Sequence, residues 1–150
     1  MRILLAACAL AFAASVVTAS AQTAGAPTIV MANQEKWTAG TGMLKGADVA
    51  VLSGDPMKSG PYVIRLKLPA NTTFPAHFHG DTEMLTVISG TFYVGLGDKA
   101  DPANVTALAP GSFASVPANV HHYAMTKSEP VVIQINGMGP FSMTAVGEKM

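Results

Sequence analysis

The chain has 150 residues, with nine basic and nine acidic side chains, a formal net charge of zero and a hydrophobic fraction of 49%. Charged residues make up only 12%, which leaves no electrostatic footprint for nucleic acid or an anionic membrane surface. The length suits one domain with a substantial core and is too short for two.

Arg2 gives a short positive start, and the run from Ile3 to Val17 is dominated by Ala, Leu, Ile, Phe and Val. Ala19-Ser20-Ala21 then supplies a small-x-small cleavage pattern, so residues 1–21 are expected to be a signal peptide and Gln22 the mature start. The apolar run is shorter than the ~20 residues that cross a bilayer, which argues against an anchor. Leu5-Ala6-Ala7-Cys8 has the look of a lipoprotein signal, the competing reading. Cleavage near Ala21 would put the protein in the periplasm or outside the cell, with no remaining membrane contact. It would also remove Cys8, the one cysteine, so the 129 remaining residues could form no disulfide.

Residues 22–35 read as a flexible leader, with Ile29 to Met31 a candidate edge strand, and residues 36–150 as the folded domain. Trp37 is a candidate core or dimer anchor. Gly40, Gly42 and Gly46 mark a loop. Val49 to Leu52 reads as a strand, closed by the turn Ser53-Gly54-Asp55-Pro56. Tyr62 to Leu68 alternates, with Tyr62, Ile64, Leu66 and Leu68 on one face and Arg65 and Lys67 on the other. Pro69-Ala70-Asn71 turns the chain into PAHFHGDTEMLTVISG, residues 75–90. Met84 to Ile88 and Phe92 to Leu96 read as a hairpin around Ser89-Gly90. Beyond the polar loop of residues 97–104, short strands are expected at Val105 to Leu108, Phe113 to Val116, Tyr123 to Met125 and Val131 to Ile135. Phe141 to Val146 is a candidate closing strand. Short strands at this spacing, with turn residues between them and no 3.6-residue apolar period, predict an all-β sandwich or barrel.

All four histidines, His77, His79, His121 and His122, fall in two short segments. His77 and His79 are two apart, so on a strand both leave the same face. Glu83 follows the turn Gly80-Asp81-Thr82, which is short enough for a hairpin delivering it from the next strand. A histidine from VPANVHHYAM can complete such a set only if the sheet closes or folds over, so the ligands themselves favour a barrel. His121 and His122 are neighbours and cannot both point inward.

The segment His77-x-His79-x3-Glu83-x6-Gly90 resembles the first motif of the cupin superfamily, and Gly111-x5-Pro117-x-Asn119-x2-His122 resembles the second. The resemblance covers Asn71 to Thr126 and points to a small, single-domain, exported bacterial cupin. It implies a jelly-roll-like β-barrel in which His77, His79, Glu83 and His122 bind a divalent transition metal (Fe, Mn, Ni, Cu or Zn). His121 is then a surface or barrel-mouth residue. Asn71 and Asn119 stand where the family pattern has Gly, in turns where Asn accepts positive φ. Thr126 stands where the second motif usually ends in Asn.

Asp98 and Asp101 lack the further carboxylates of a calcium site, and no serine has the partners of a nucleophilic triad. Methionines, Met138 and Met143 included, read as core filler. The expectation is a metal-dependent enzyme of dioxygenase (oxidoreductase), isomerase or lyase type acting on a small organic substrate. The other reading is a non-catalytic protein that binds a small ligand or metal. No catalytic residue is singled out beyond the polar candidates Tyr62, Tyr93 and Thr126. Phe74, Leu85, Val87, Phe92 and Phe113 are the expected apolar lining. A homodimer is compatible with this size of barrel.

Overall fold

The computed structural model describes residues 26–147. The signal-peptide reading of residues 1–21 lies outside the described residues, as do residues 22–25 of the leader. Eleven strands follow one another, joined by turns and one 3-10 turn at Gly42–Leu44. They are β1 (Thr38–Ala39), β2 (Asp48–Ser53), β3 (Gly60–Leu68), β4 (Thr73–Phe78), β5 (Glu83–Ser89) and β6 (Phe92–Leu96). The chain continues through β7 (Thr106–Leu108), β8 (Phe113–Val116), β9 (His122–Met125), β10 (Val131–Gly139) and β11 (Thr144–Ala145).

The strands form two antiparallel sheets, one ordered β1-β2-β3-β10-β5-β8 and the other β11-β4-β9-β6-β7. β10 is the axis of the first sheet, with β3 on one side and β5 on the other. Its inward residues explain that position. Val131, Ile133 and Ile135 are fully buried, and Ile133 and Ile135 stand opposite Leu66 and Ile64 on β3, and Val87 and Leu85 on β5. β-branched side chains on a pleated surface pack well against such neighbours. Phe74, Phe92 and Ala124 face them from β4, β6 and β9, and these residues share one apolar cluster. Each fully buried aliphatic side chain in such a layer stabilises the fold by about 1.5–3 kcal/mol.

The outward face of β3 is covered as well. Arg65 pairs with Glu35 and bonds Gln134, while the Lys67 ammonium sits 4.8 Å above the Trp37 ring. Trp37 is thus a half-buried cover, and Arg65 and Lys67 do more than solvate a strand.

Four expectations change. Ile29 to Met31 forms no strand, and Ile29 and Met31 are 77% and 60% exposed; the first ladder begins later, where Thr38 pairs with Val49. β5 and β6 are not a hairpin, because β5 pairs with β8 and β10 while β6 pairs with β7 and β9. Their turn passes the chain from one sheet to the other. The turn between β4 and β5 does the same, so Glu83 reaches the histidines across the interior and not along a ladder. Finally, Phe113 points outward at 59% exposure, since Ala114 and Val116 take the inward positions of β8.

Asn71 and Asn119 hold φ of 55° and 62°, the left-handed backbone their turns require. Thr126 is buried and serves the same region. Its hydroxyl donates to the Pro69 carbonyl at 2.6 Å and accepts the Thr72 N–H at 2.9 Å, tying β9 to the turn before β4. Replacing it with the near-isosteric valine removes both bonds from a buried position. Thr126→Val is expected to lose roughly 1–3 kcal/mol of stability in denaturant melts. An unchanged melting midpoint would show that the hydroxyl does not hold the turn.

Candidate metal centre

β4 ends at Phe78, so His77 lies on the strand and His79 one residue past it. β9 opens with His122, which stands directly opposite His77 in the β4–β9 ladder. The strand-end break after Phe78 turns the chain toward the other sheet, where Glu83 begins β5. His77, His79, Glu83 and His122 are all buried, at 3%, 6%, 8% and 3% exposure.

The three imidazoles converge. Their ring centroids lie 4.2 Å apart for His77–His122, 5.1 Å for His77–His79 and 5.2 Å for His79–His122. One potential ligand atom from each comes within 4.8 Å of the others. Every ring is oriented through Nδ1, which lies 2.7 Å from the Pro75 carbonyl in His77, 2.6 Å from that of Ser142 in His79 and 3.0 Å from that of Val120 in His122. A carbonyl oxygen can only accept, so Nδ1 carries a proton in each ring and Nε2 presents a lone pair whenever the ring is neutral. Among the described residues, the Nε2 atom of His79 is buried without any hydrogen-bond partner. Leaving such an atom unpaired costs about 1–3 kcal/mol, and a cation is the partner its lone pair calls for.

Glu83 adds the carboxylate. Its Oε2 lies 3.6 Å from Nε2 of both His79 and His122, too far for a hydrogen bond and within ion-pair distance of either ring when that ring is protonated. Burial pushes the Glu83 carboxyl up, but His122, His79 and His77 more than reverse this and hold it below its ordinary value. Burial pushes His122 down, and Glu83 more than reverses that, so His122 is raised. His77 lacks so close a carboxylate, and burial lowers it to about 4. With His122 giving up its Nε2 proton to an incoming ion, three imidazoles and a carboxylate in an apolar enclosure form a donor set that fits a divalent transition metal.

The chamber around these residues is small, about 30 Å³, and its other walls are apolar, with Phe74, Leu85 and Phe92 among them. Those three are where the sequence puts them. Val87 is buried in the core and does not line the chamber, and Phe113 faces away. Of the polar candidates, Tyr62 adjoins the centre, sharing a small cavity with His79, Asp81 and Glu83. Burial first, then the charges of Glu83 and Asp81, push its hydroxyl up to about 12. Tyr93 instead lies beneath the Lys127 ammonium, 4.2 Å from its ring centroid, and Thr126 is committed to its turn. His121 is not part of the cluster. Its Nδ1 lies 2.6 Å from Asp98 and its ring stacks on Phe78 at 5.3 Å.

The closing strand expected at Phe141 to Val146 shortens to β11 (Thr144–Ala145), and the residues before it form a strap over the site that the sequence did not place there. Residues Phe141–Ala145 cross the chamber, with β11 paired to β4 and the Phe141 ring 5.6 Å from that of His79. Ser142 supplies the carbonyl that orients His79, and its hydroxyl accepts the Gly80 N–H at 2.9 Å. A backbone carbonyl leaves no trace in a motif, so no residue type could have announced this contact.

Residues 64–135 match the profile of the cupin domain. No curated protein matches the sequence significantly. Among solved structures, the fold is similar to the polyketide cyclase RemF from Streptomyces resistomycificus, with a TM-score of 0.62, 16% identity and coverage of 81% of this chain and 86% of that one. A cupin-like protein of unknown function from Ralstonia eutropha JMP134 gives 0.62 at 21% identity, covering 79% and 77%. DMSP lyase DddQ from Ruegeria pomeroyi DSS-3 gives 0.59 at 15% identity, covering 77% of this chain and 64% of the lyase, just under two thirds of its length. At these identities the likeness establishes the fold, an all-β cupin jelly roll.

The buried His77 sets a pH dependence for the metal-free protein. Unfolded, it takes up a proton near pH 6.5; folded, it does so only near 4. The native state therefore binds fewer protons in that window, and stability falls as pH drops through it, by up to roughly 3 kcal/mol. Denaturant melts in chelator between pH 7 and pH 4 should show wild type losing more stability than His77→Gln. Parallel curves would refute the assignment.

Proposed function

On the premise that this chain carries a cupin domain, we propose that it is a divalent-metal-dependent enzyme acting on a small, partly apolar organic substrate. His77, His79, Glu83 and His122 are the metal ligands in this reading. The observation that carries it is the convergence of three Nε2 lone pairs, one of them buried and unpartnered, beside a buried carboxylate. A dioxygenase, isomerase or lyase reaction is compatible with this donor set, and the lyase and cyclase named among the fold's relatives are consistent with that breadth.

When bound, a divalent cation supplies Lewis acidity to a substrate oxygen. The protein's own groups do the rest. The carbonyls of Pro75, Val120 and Ser142 hold the rings in the tautomer that leaves Nε2 free. Phe74, Leu85 and Phe92 exclude water and lower the local dielectric, which strengthens every charge interaction inside. Tyr62, kept protonated at neutral pH, lines the separate small cavity beside His79 and Glu83, and its hydroxyl is a donor for a substrate oxygen that reaches that cavity.

One observation favours a second reading, a non-catalytic periplasmic protein that binds a metal or small ligand. The chamber of about 30 Å³ has room for little beyond water unless its cover moves. Export through the segment 1–21 belongs to both readings, and so does a possible pairing of two copies.

Elemental analysis of the purified protein is the decisive measurement. One equivalent of a transition metal is expected in wild type, with His79→Ala and Glu83→Ala binding at least about a hundredfold more weakly, a loss no smaller than supporting residues alone cause. Wild-type protein without stoichiometric metal, even after refilling, would overturn the metal assignment. With metal in place, turnover of small carbonyl, phenolic or sugar compounds distinguishes the enzyme from the binder.

A further inference from the structure

A second, larger cavity lies directly outside the metal chamber. Its volume is about 390 Å³, within the roughly 300–1,000 Å³ range of small-molecule sites. Its walls come from the Thr38–Leu44 segment, from Pro56 and Met57 in the turn after β2, and from Val49 and Ile64. Among the described residues, no Asp, Glu, Lys, Arg or His lines it. Leu44, Phe141 and Met143 line this cavity and the metal chamber alike, so three apolar side chains are the partition between them.

The two spaces differ in what they can hold. The inner one takes a water-sized group beside the histidines, while the outer one takes a molecule of drug-fragment size. An uncharged outer wall, apolar apart from Thr38, Thr41 and the glycine backbone beside them, ends at a polar inner wall of candidate metal ligands, which matches a ligand with a small oxygen-bearing head and a largely apolar tail. Met43, Met57 and Met143 contribute flexible thioethers, which adapt to a tail's shape better than branched side chains do. The partition is built from weakly anchored elements. Leu44 ends a single 3-10 turn, and Phe141 and Met143 sit on the strap, held by the two-residue β11, the Ser142 contacts and the Phe141 N–H to the Pro56 carbonyl at 2.7 Å. Short elements with few ladder bonds open at the lowest free energy.

We propose that the outer cavity binds the apolar tail of an elongated ligand whose head enters the metal chamber through the neck formed by Leu44, Phe141 and Met143. This narrows the substrate class to amphipathic chains or aryl-alkyl molecules, and it rests on the metal reading above. It also reduces what the inner chamber has to hold, because only the head enters it, through a neck that opens.

Straight-chain alkyl hydroxamates test it, since the head chelates a metal and the tail length is a free variable. Their binding to zinc-loaded protein is measured by titration calorimetry, from acetohydroxamate upward. The expected result is an affinity rising about two- to fourfold per added methylene, as burial of each CH₂ predicts, and levelling once the outer cavity is full. Ala39→Trp and Thr41→Trp, two independent ways of filling that cavity, should each remove the chain-length dependence while retaining one equivalent of zinc. Affinity independent of tail length in wild type overturns the proposal, as does a chain-length dependence untouched in both zinc-retaining tryptophan variants. Failure of acetohydroxamate to bind protein that holds stoichiometric zinc overturns it too, and leaves the metal reading standing. Failure to hold zinc at all overturns both.

Discussion

Three hydrogen bonds from ring nitrogens to backbone carbonyls govern what this protein can do. An imidazole free to choose its tautomer presents either nitrogen; one whose Nδ1 faces a carbonyl has no choice. Pro75, Val120 and Ser142 provide those carbonyls from three different parts of the chain, and the result is three Nε2 lone pairs aimed at one point. The rest of the architecture can be understood as the means of holding those three oxygens still. β4 and β9 pair so that His77 and His122 stand opposite each other, and the strap carries Ser142 over the break after β4.

The charge balance of the centre follows from burial. A lone carboxylate in an apolar chamber would be driven to neutrality. Glu83 avoids this because two imidazole nitrogens stand 3.6 Å away, and His122 shifts in the complementary direction. His77, without so close a partner, goes the other way. One enclosure therefore holds an ionised acid, a histidine inclined to charge and a histidine that resists it. That asymmetry is decided by which rings the fold brings within 3.6 Å of the carboxylate, which no residue pattern encodes.

Two sheet crossings separate the actual topology from the one the strand pattern suggests. The runs 84–88 and 92–96 have the alternation and the central Ser89-Gly90 of a hairpin, yet they belong to opposite sheets. The cause lies outside the segment. β5 already has β10 and β8 on its two edges, and β6 has β9 and β7, so neither has an edge left for the other. Local turn chemistry is equally good for a hairpin and for a crossing, and competition for edges decides between them.

Much was nonetheless present in the sequence alone. The alternation of Tyr62 to Leu68 determined which face of β3 is buried, because period 2 is a property of the strand itself. Asn71 and Asn119 determined where the backbone could turn left-handed, because few other side chains tolerate it. Residue type and spacing were enough to nominate His77, His79, Glu83 and one of the paired later histidines, and the resemblance to the second cupin motif chose His122 over His121. Tertiary structure alone decided the carbonyl from Ser142, the exclusion of His121 by Asp98 and Phe78, the structural duty of Thr126, and the outer cavity beyond Leu44, Phe141 and Met143. Each of these depends on atoms brought together from distant segments, and backbone oxygens and empty space are the same for every sequence until the chain has folded around them.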